Sequence, residues 1–375
     1  MNASLSVMNV LAGVLGAVAI VVVLIDVFET VVLPRRVTRR LRLARVLYRT
    51  TWGPWQRLAR LFRSSTRRKD FLSVYGPLSI LLLLALWTVG LITGFAALQW
   101  ANGSALDAPG ARSGFGTDLY FSATTFLTLG LGDVVPRSGP ARLLTAIEAA
   151  GGFGVLALVI GYLPTLYQAF SRREIAVSLL DARAGSPPSA GELLRRYIGA
   201  GQWDELNAYL GEWETWAAEL MESLLSYPML GYFRSQHDNQ NWLAALTTIL
   251  DTCAFTMAAV PELRGRTVHL TFAMGRHAVV DLAQVFQTPP VAPRPERLSA
   301  EDLARLRATL AQSGLTLAEE KMMERNLAHI RSLYEPYVYA LSQRLALPLP
   351  AWLPLVQVTE NWLSTAWESR DGALL

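Results

Sequence analysis

The stretch that most constrains this chain is Thr128-Leu129-Gly130-Leu131-Gly132-Asp133, because of where it stands. It comes after a short amphipathic run, Thr117 to Leu127, and lies between two long apolar segments, Val74 to Gln99 and Arg142 to Phe170. About twenty apolar residues span the hydrocarbon of a bilayer, so each flank is long enough to cross. Glycine reaches positive φ without a Cβ penalty, so alternate glycines let a strand leave β geometry at alternate residues. Irregular backbone at membrane depth is tolerated only inside protein or beside water. The expected element is therefore a re-entrant loop: a short helix going in, a glycine-interrupted return, and an exit through Val134-Val135-Pro136.

In that setting the run resembles the selectivity filter of single-pore-loop prokaryotic potassium channels. The helix-like run Tyr120-Phe121-Ser122-Ala123-Thr124-Thr125-Phe126 before it and Asp133 after it extend the likeness, which covers Tyr75 to Arg173. The resemblance implies an all-α membrane protein with a pore module of outer helix, pore loop and inner helix. Four chains would meet around one axis, because one loop per chain cannot surround an ion. The permeant ion would be K+, held by the backbone carbonyls of Thr128, Leu129, Gly130, Leu131 and Gly132 with Asp133 closing the run; no cofactor and no other metal is implied. Leu131 stands where such filters carry tyrosine, which keeps the carbonyl row and loses the ring hydroxyl behind it.

The same likeness supplies expectations for the inner helix. Its bend maps to Gly151-Gly152, with Gly154 and Gly161 as further weak points and Pro164 near the inner end. Glu148 is the one carboxylate in that span. Facing the water cavity it would attract cations; facing the pore helix it would hydrogen-bond Thr124 or Thr125.

Charge divides the chain. Residues 1–170 carry 16 Lys and Arg against 7 Asp and Glu, whereas residues 171–375 carry 18 against 23. The positive excess lies in Arg35 to Lys69, thirteen basic residues with no acid. An apolar span, Val7 to Leu33, precedes this block, too long and without the basic start of a signal peptide. The basic flank places the end of that span in the cytoplasm and the N-terminus outside a cell (inner) membrane. Asp26 and Glu29, one turn apart, then sit near the inner interface, where the arginines are the expected partners. Arg36, Arg39, Arg42 and Arg45 recur every third residue. That spacing fits a voltage sensor, but a sensor needs partner helices to shield it. The expected form is a basic interfacial helix on anionic headgroups, divided at Gly53-Pro54.

These limits give an N-terminal span over 1–34, a basic helix over 35–72, a pore domain over 73–173, a linker over 174–190 and a helical cytoplasmic domain over 191–375. Arg172-Arg173 marks the cytoplasmic end of the inner helix. In the last domain Trp242 to Val260 has membrane length, yet Asp251 at its centre and the absence of basic flanks predict a buried helix. Ser299-x-x-Asp302 and Thr316-x-x-Glu319 read as helix starts, the second helix running to Ala346 with an irregularity at Pro336. No Gly-x-Gly-x-x-Gly fingerprint, metal-ligand spacing or catalytic triad is present, so neither a nucleotide-binding regulator nor an enzyme is expected. The functional expectation is a potassium-selective homotetrameric channel gated at the inner helices and regulated by the cytoplasmic helices. Two other classes stay open: a weakly selective monovalent cation channel, and a non-conducting membrane receptor.

Overall fold

A computed structural model describes residues 2–33, 42–108, 114–199, 202–236, 239–260, 265–312 and 317–354. The fold is that of an all-α membrane protein, divided into two compact units. Unit 1 comprises Met1–Leu58 and Pro77–Tyr167; unit 2 comprises Ala59–Gly76 and Gln168–Leu375. Both α3 (Ser65–Ala101) and α5 (Gly139–Ala184) contribute residues to each unit. The stretch expected as a linker is thus largely helix: α5 continues to Ala184, with Val177, Leu180 and Ala184 buried in unit 2.

In unit 1, α1 (Asn2–Val27) lies antiparallel to α3 through small residues. A Cβ on Gly16 would fall 2.7 Å from the carbonyl oxygen of Gly94, and one on Gly94 would fall 2.7 Å from the Ile20 side chain. Small residues at this spacing let two backbones approach, the usual device where lipid supplies no hydrophobic drive between helices. A turn of π-helix, Phe28–Val32, ends this span. Then α2 (Leu43–Ala59) packs Leu43, Ala44 and Leu47 against Val23, Val27, Leu83 and Trp87. It runs unbroken through Gly53-Pro54, contrary to the expected division. A proline inside a helix forfeits one hydrogen bond, and here Trp52, two residues earlier, is fully buried and holds the helix in place.

Asp26 has different partners from those its sequence neighbours suggest. Its carboxylate accepts the backbone N–H groups of Leu43 (2.8 Å) and Ala44 (3.2 Å) and the Trp87 indole N–H (2.9 Å). It therefore caps the start of α2, where the helix dipole favours negative charge. Glu29 does meet an arginine: Arg42 Nε lies 3.7 Å from its carboxylate, and the Arg42 guanidinium donates to Thr30 Oγ1 at 3.1 Å. Arg45 is half-buried on α2, while Arg36 and Arg39 lie outside the described residues.

Unit 2 is built on α8 (Trp242–Ala259), enclosed by α6 (Ala190–Gly199), α7 (Trp203–Ser226), α9 (Arg266–Val285), α11 (Glu320–Ser332) and α12 (Glu335–Leu345). Among the described residues four helices are long and apolar enough to cross a membrane, and α8 is one of them. Of its residues 94% are buried inside the protein, against 11% in the apolar 18-residue stretch of α5, so its apolar surface is already covered. Thr247, Thr248, Thr252 and Thr256 each return their hydroxyl to a carbonyl one turn back, which satisfies them inside the core. The remaining helix, α10 (Ala300–Gln312), starts at Ser299, whose hydroxyl takes the Asp302 N–H at 3.0 Å. The long helix expected up to Ala346 is two, α11 and α12, parted at Leu333-Tyr334, with Pro336 in the first turn of α12 where its missing N–H is harmless. Thr316 lies outside the described residues.

Candidate functional site

The site begins with α4 (Phe115–Phe126), a twelve-residue helix between α3 and α5. Its first turn is fixed by Asp118, fully buried, which accepts the Ser104 hydroxyl at 2.6 Å. Its last turn organises the loop beyond it. The Thr124 carbonyl takes the N–H of Leu129 at 2.8 Å and of Gly130 at 3.3 Å, and the Thr125 carbonyl takes the N–H of Thr128 at 3.0 Å. The chain therefore doubles back against the helix end as it leaves it.

Beyond that turn the backbone alternates. Thr128 (φ +58°), Gly130 (φ +56°) and Gly132 (φ +79°) are left-handed, and Leu129 and Leu131 are not. This is the alternation that sets successive carbonyls on one side of a chain. The glycines reach it freely. Thr128 does not: a β-branched residue at positive φ is strained, by about 1–3 kcal/mol. The sequence points to unusual backbone at the glycines alone, and the threonine shares it. All of Leu127 to Asp133 is exposed, Leu129 at 59% and Leu131 at 63%.

Past the loop, Asp133 accepts the Tyr120 hydroxyl at 2.8 Å. This ring hydroxyl comes from α4 and not from the position that Leu131 occupies. A two-residue ribbon pairs β1 (Leu106–Asp107) with β2 (Val135–Pro136), and Arg137 forms an ion pair with Asp107 beside it. The inner helix is joined to the outer one by Gln99, whose amide reaches the Ala141 carbonyl at 3.2 Å and Thr145 Oγ1 at 3.4 Å.

The inner-helix residues fall into two groups. Gly151, Gly154 and Gly161 have open space where a Cβ would be. Gly152 does not: a Cβ there would sit 2.1 Å from the Phe126 carbonyl oxygen. It is a contact glycine, and α5 is continuous through it and through Pro164. Glu148 is fully buried and turned toward α4, where its carboxyl meets the Ser122 hydroxyl. Thr124 and Thr125 are not its partners; Thr124 Oγ1 bonds the Phe121 carbonyl at 3.0 Å. The sequence does not single out Ser122 and Tyr120, because nothing in a run of small and aromatic residues says which face meets α5.

Comparison with known proteins bears on this module. Residues 79–169 match the ion-channel family. They carry α4, the alternating loop and most of α3 and α5, and they support a channel function for the protein. The chain is also similar to the uncharacterized membrane protein YdjJ of Bacillus subtilis (strain 168), 21% identical over 248 residues, 65% of this chain and 70% of that protein. No solved structure matches.

Arg173, expected to mark the cytoplasmic end, is buried in unit 2. Its guanidinium bonds the carbonyls of Leu230 (2.8 Å) and Phe233 (3.2 Å), pairs with Glu174 and lies 5.1 Å over the Phe170 ring. Arg173 is thus held by fixed contacts, while Arg172 beside it is exposed and α5 runs on to Ala184.

Proposed function

We propose that this protein is a potassium channel: a homotetramer in the cell (inner) membrane whose filter is the carbonyl row of Thr128 to Gly132. The observation that carries the reading is the alternation of left-handed residues at 128, 130 and 132, directly after a short helix, inside the segment that matches the ion-channel family. Carbonyls so aligned replace the hydration shell of a cation. The exposed Leu127, Leu129 and Leu131 and the bare faces of α5 favour neighbouring copies around them. The N-terminus lies outside and unit 2 in the cytoplasm. The ring hydroxyl of Tyr120 on Asp133 supports the loop where Leu131 supplies none. A weakly selective cation pore is the second reading, favoured by Leu131 itself.

Replacing Gly130 with alanine tests the filter. Within one chain nothing beyond its sequence neighbours lies within 4 Å of the added Cβ, so inside the subunit the change acts through the backbone at φ +56°. In liposomes the variant is expected to lose K+ flux while keeping its oligomeric state on size exclusion. Flux equal to the unmutated protein would remove the filter from this loop.

The basic block acts as an interfacial helix on anionic headgroups. In the turn after α2 Arg60 and Arg63 are exposed with Leu61 at 76% and Phe62 at 38%, and Arg67, Arg68 and Lys69 are exposed at the start of α3. Charge and apolar side chains at one level suit the boundary of a bilayer. A charge crossing 100 mV is worth about 2.3 kcal/mol, so sensing arginines would make opening steep. A shallow conductance–voltage relation is expected, unchanged when Arg42 and Arg45 are neutralised. A steep relation that flattens in those variants would make this block a sensor.

Gating is assigned to the inner helices, with Pro164 near their inner ends. Regulation by unit 2 reaches them along α5, which has no break between Gly139 and Ala184.

A further inference from the structure

Two contacts join α5 to α4, and their spacing matches. Glu148 meets Ser122 and, one turn on, Gly152 meets Phe126. Residues four apart lie on one helix face, so the pairs 148–152 and 122–126 form a two-rung ladder. Its upper rung is backbone against the space of an absent Cβ. Its lower rung is polar and carries a third element: Ser122 Oγ also lies 2.8 Å from the Ile92 carbonyl of α3. One hydroxyl thus stands between the inner, outer and pore helices.

We propose that Glu148 is a positioning residue, holding the pore helix to the inner helix through its hydrogen bond to Ser122 and not through its charge. The carboxyl is fully buried within a single protomer, so it has no water cavity to charge. Among the described residues it has no ion-pair partner, and its second oxygen, Oε2, is buried without a hydrogen bond. A carboxylate placed to attract cations would face water, and one placed as a counter-ion would face an arginine. What it reaches is the helix whose last turn holds Leu129 and Gly130 through the Thr124 carbonyl. A shift of α5 at this level therefore moves the foot of the loop. The inference rests on the channel reading for its consequence, and on the contact alone for its existence.

The test uses full-length protein with Glu148→Gln, Glu148→Ala, Ser122→Ala and the double alanine variant. Thermal denaturation of the purified oligomer reads the contact without conduction. Either alanine variant is expected to lower the melting temperature, with the double variant melting no lower than the worse single, since the pair shares one interaction. Additive losses would overturn the tie whether or not the protein conducts. Single-channel recording then separates bond from charge. Glu148→Gln, which removes the charge and keeps a hydrogen-bonding amide, is expected to keep conductance and open probability within about twofold; Glu148→Ala and Ser122→Ala are each expected to lower open probability about tenfold. Loss of conductance in Glu148→Gln equal to that in Glu148→Ala would make the residue a charge site and refute the proposal. If Glu148→Ala does not assemble, Ser122→Ala, which removes one oxygen atom, decides alone.

Discussion

Alanine at position 152 is expected to disable the pore, while alanine at position 151 is tolerated. The two glycines are adjacent in sequence and differ in what they face. A Cβ on Gly152 would lie 2.1 Å from the Phe126 carbonyl oxygen, and one on Gly151 meets nothing within 4 Å. Overpacking a core costs about 1–3 kcal/mol when side chains can move aside. Here the obstacle is backbone, so α4 and α5 must part, and the contact between Glu148 and Ser122 one turn away parts with them. Because Phe126 is two residues before Thr128, the displacement falls on the start of the carbonyl row. Flux from liposomes is expected to fall at least about tenfold in Gly152→Ala, the effect of a loss near 1.4 kcal/mol. Gly151→Ala should match the unmutated protein. A hinge glycine would give the opposite pattern of sensitivity, or equal sensitivity at both positions, and either would refute the packing assignment.

The second large effect is expected in unit 2, at Arg297. Its guanidinium spans Asp251 through both carboxylate oxygens, reaches Glu335 Oε1 at 3.2 Å and gives a further bond to the Pro350 carbonyl at 3.0 Å. Tyr334 also bonds Asp251, and Arg331 closes the set on Glu335 at 3.0 Å. Two carboxylates and two guanidiniums balance inside the core. Burial still pushes the Glu335 carboxyl above its ordinary range, with Asp251 adding to the shift and Arg331 and Arg297 pulling it back. Removing one partner from such a pair leaves a buried charge unmatched, at a cost of about 3–5 kcal/mol. Arg297→Met should therefore melt the helical unit well below the unmutated protein, as read by tryptophan fluorescence in detergent. Adding Asp251→Asn to that variant should recover part of the loss. A change under about 0.5 kcal/mol for Arg297→Met, typical of a surface site, would contradict the network's role.

Much of the membrane half is legible in the sequence because membranes narrow the choices. Span length, basic flanks and a glycine alternation each have few physical readings, and α1, α3, α4 and α5 lie where those features point. What the sequence leaves open is rotation. Whether Glu148 faces water or the pore helix depends on the phase of α5 against α4, and a period of 3.6 residues does not fix that phase for a helix apolar on nearly every side. The same ambiguity hides the difference between Gly151 and Gly152. Asp26 misleads for another reason. Charge suggests an arginine partner, whereas the carboxylate takes the free N–H groups of Leu43 and Ala44 at the start of α2. Long-range pairs such as Asp251 with Arg297, 46 residues apart, leave no local trace at all. Nor does the sequence show that Arg173 is buried: its carbonyl partners come from residues more than fifty positions on.

The central claim is that Thr128 to Gly132 form a K+-selective filter. The most direct measurement is flux through the purified full-length protein in liposomes, loaded with K+ and then with Na+ under the same gradient. The account predicts rapid K+ flux, with Na+ flux at least about tenfold slower, as differences in carbonyl coordination give. Equal flux of the two ions, or none of either, would contradict it.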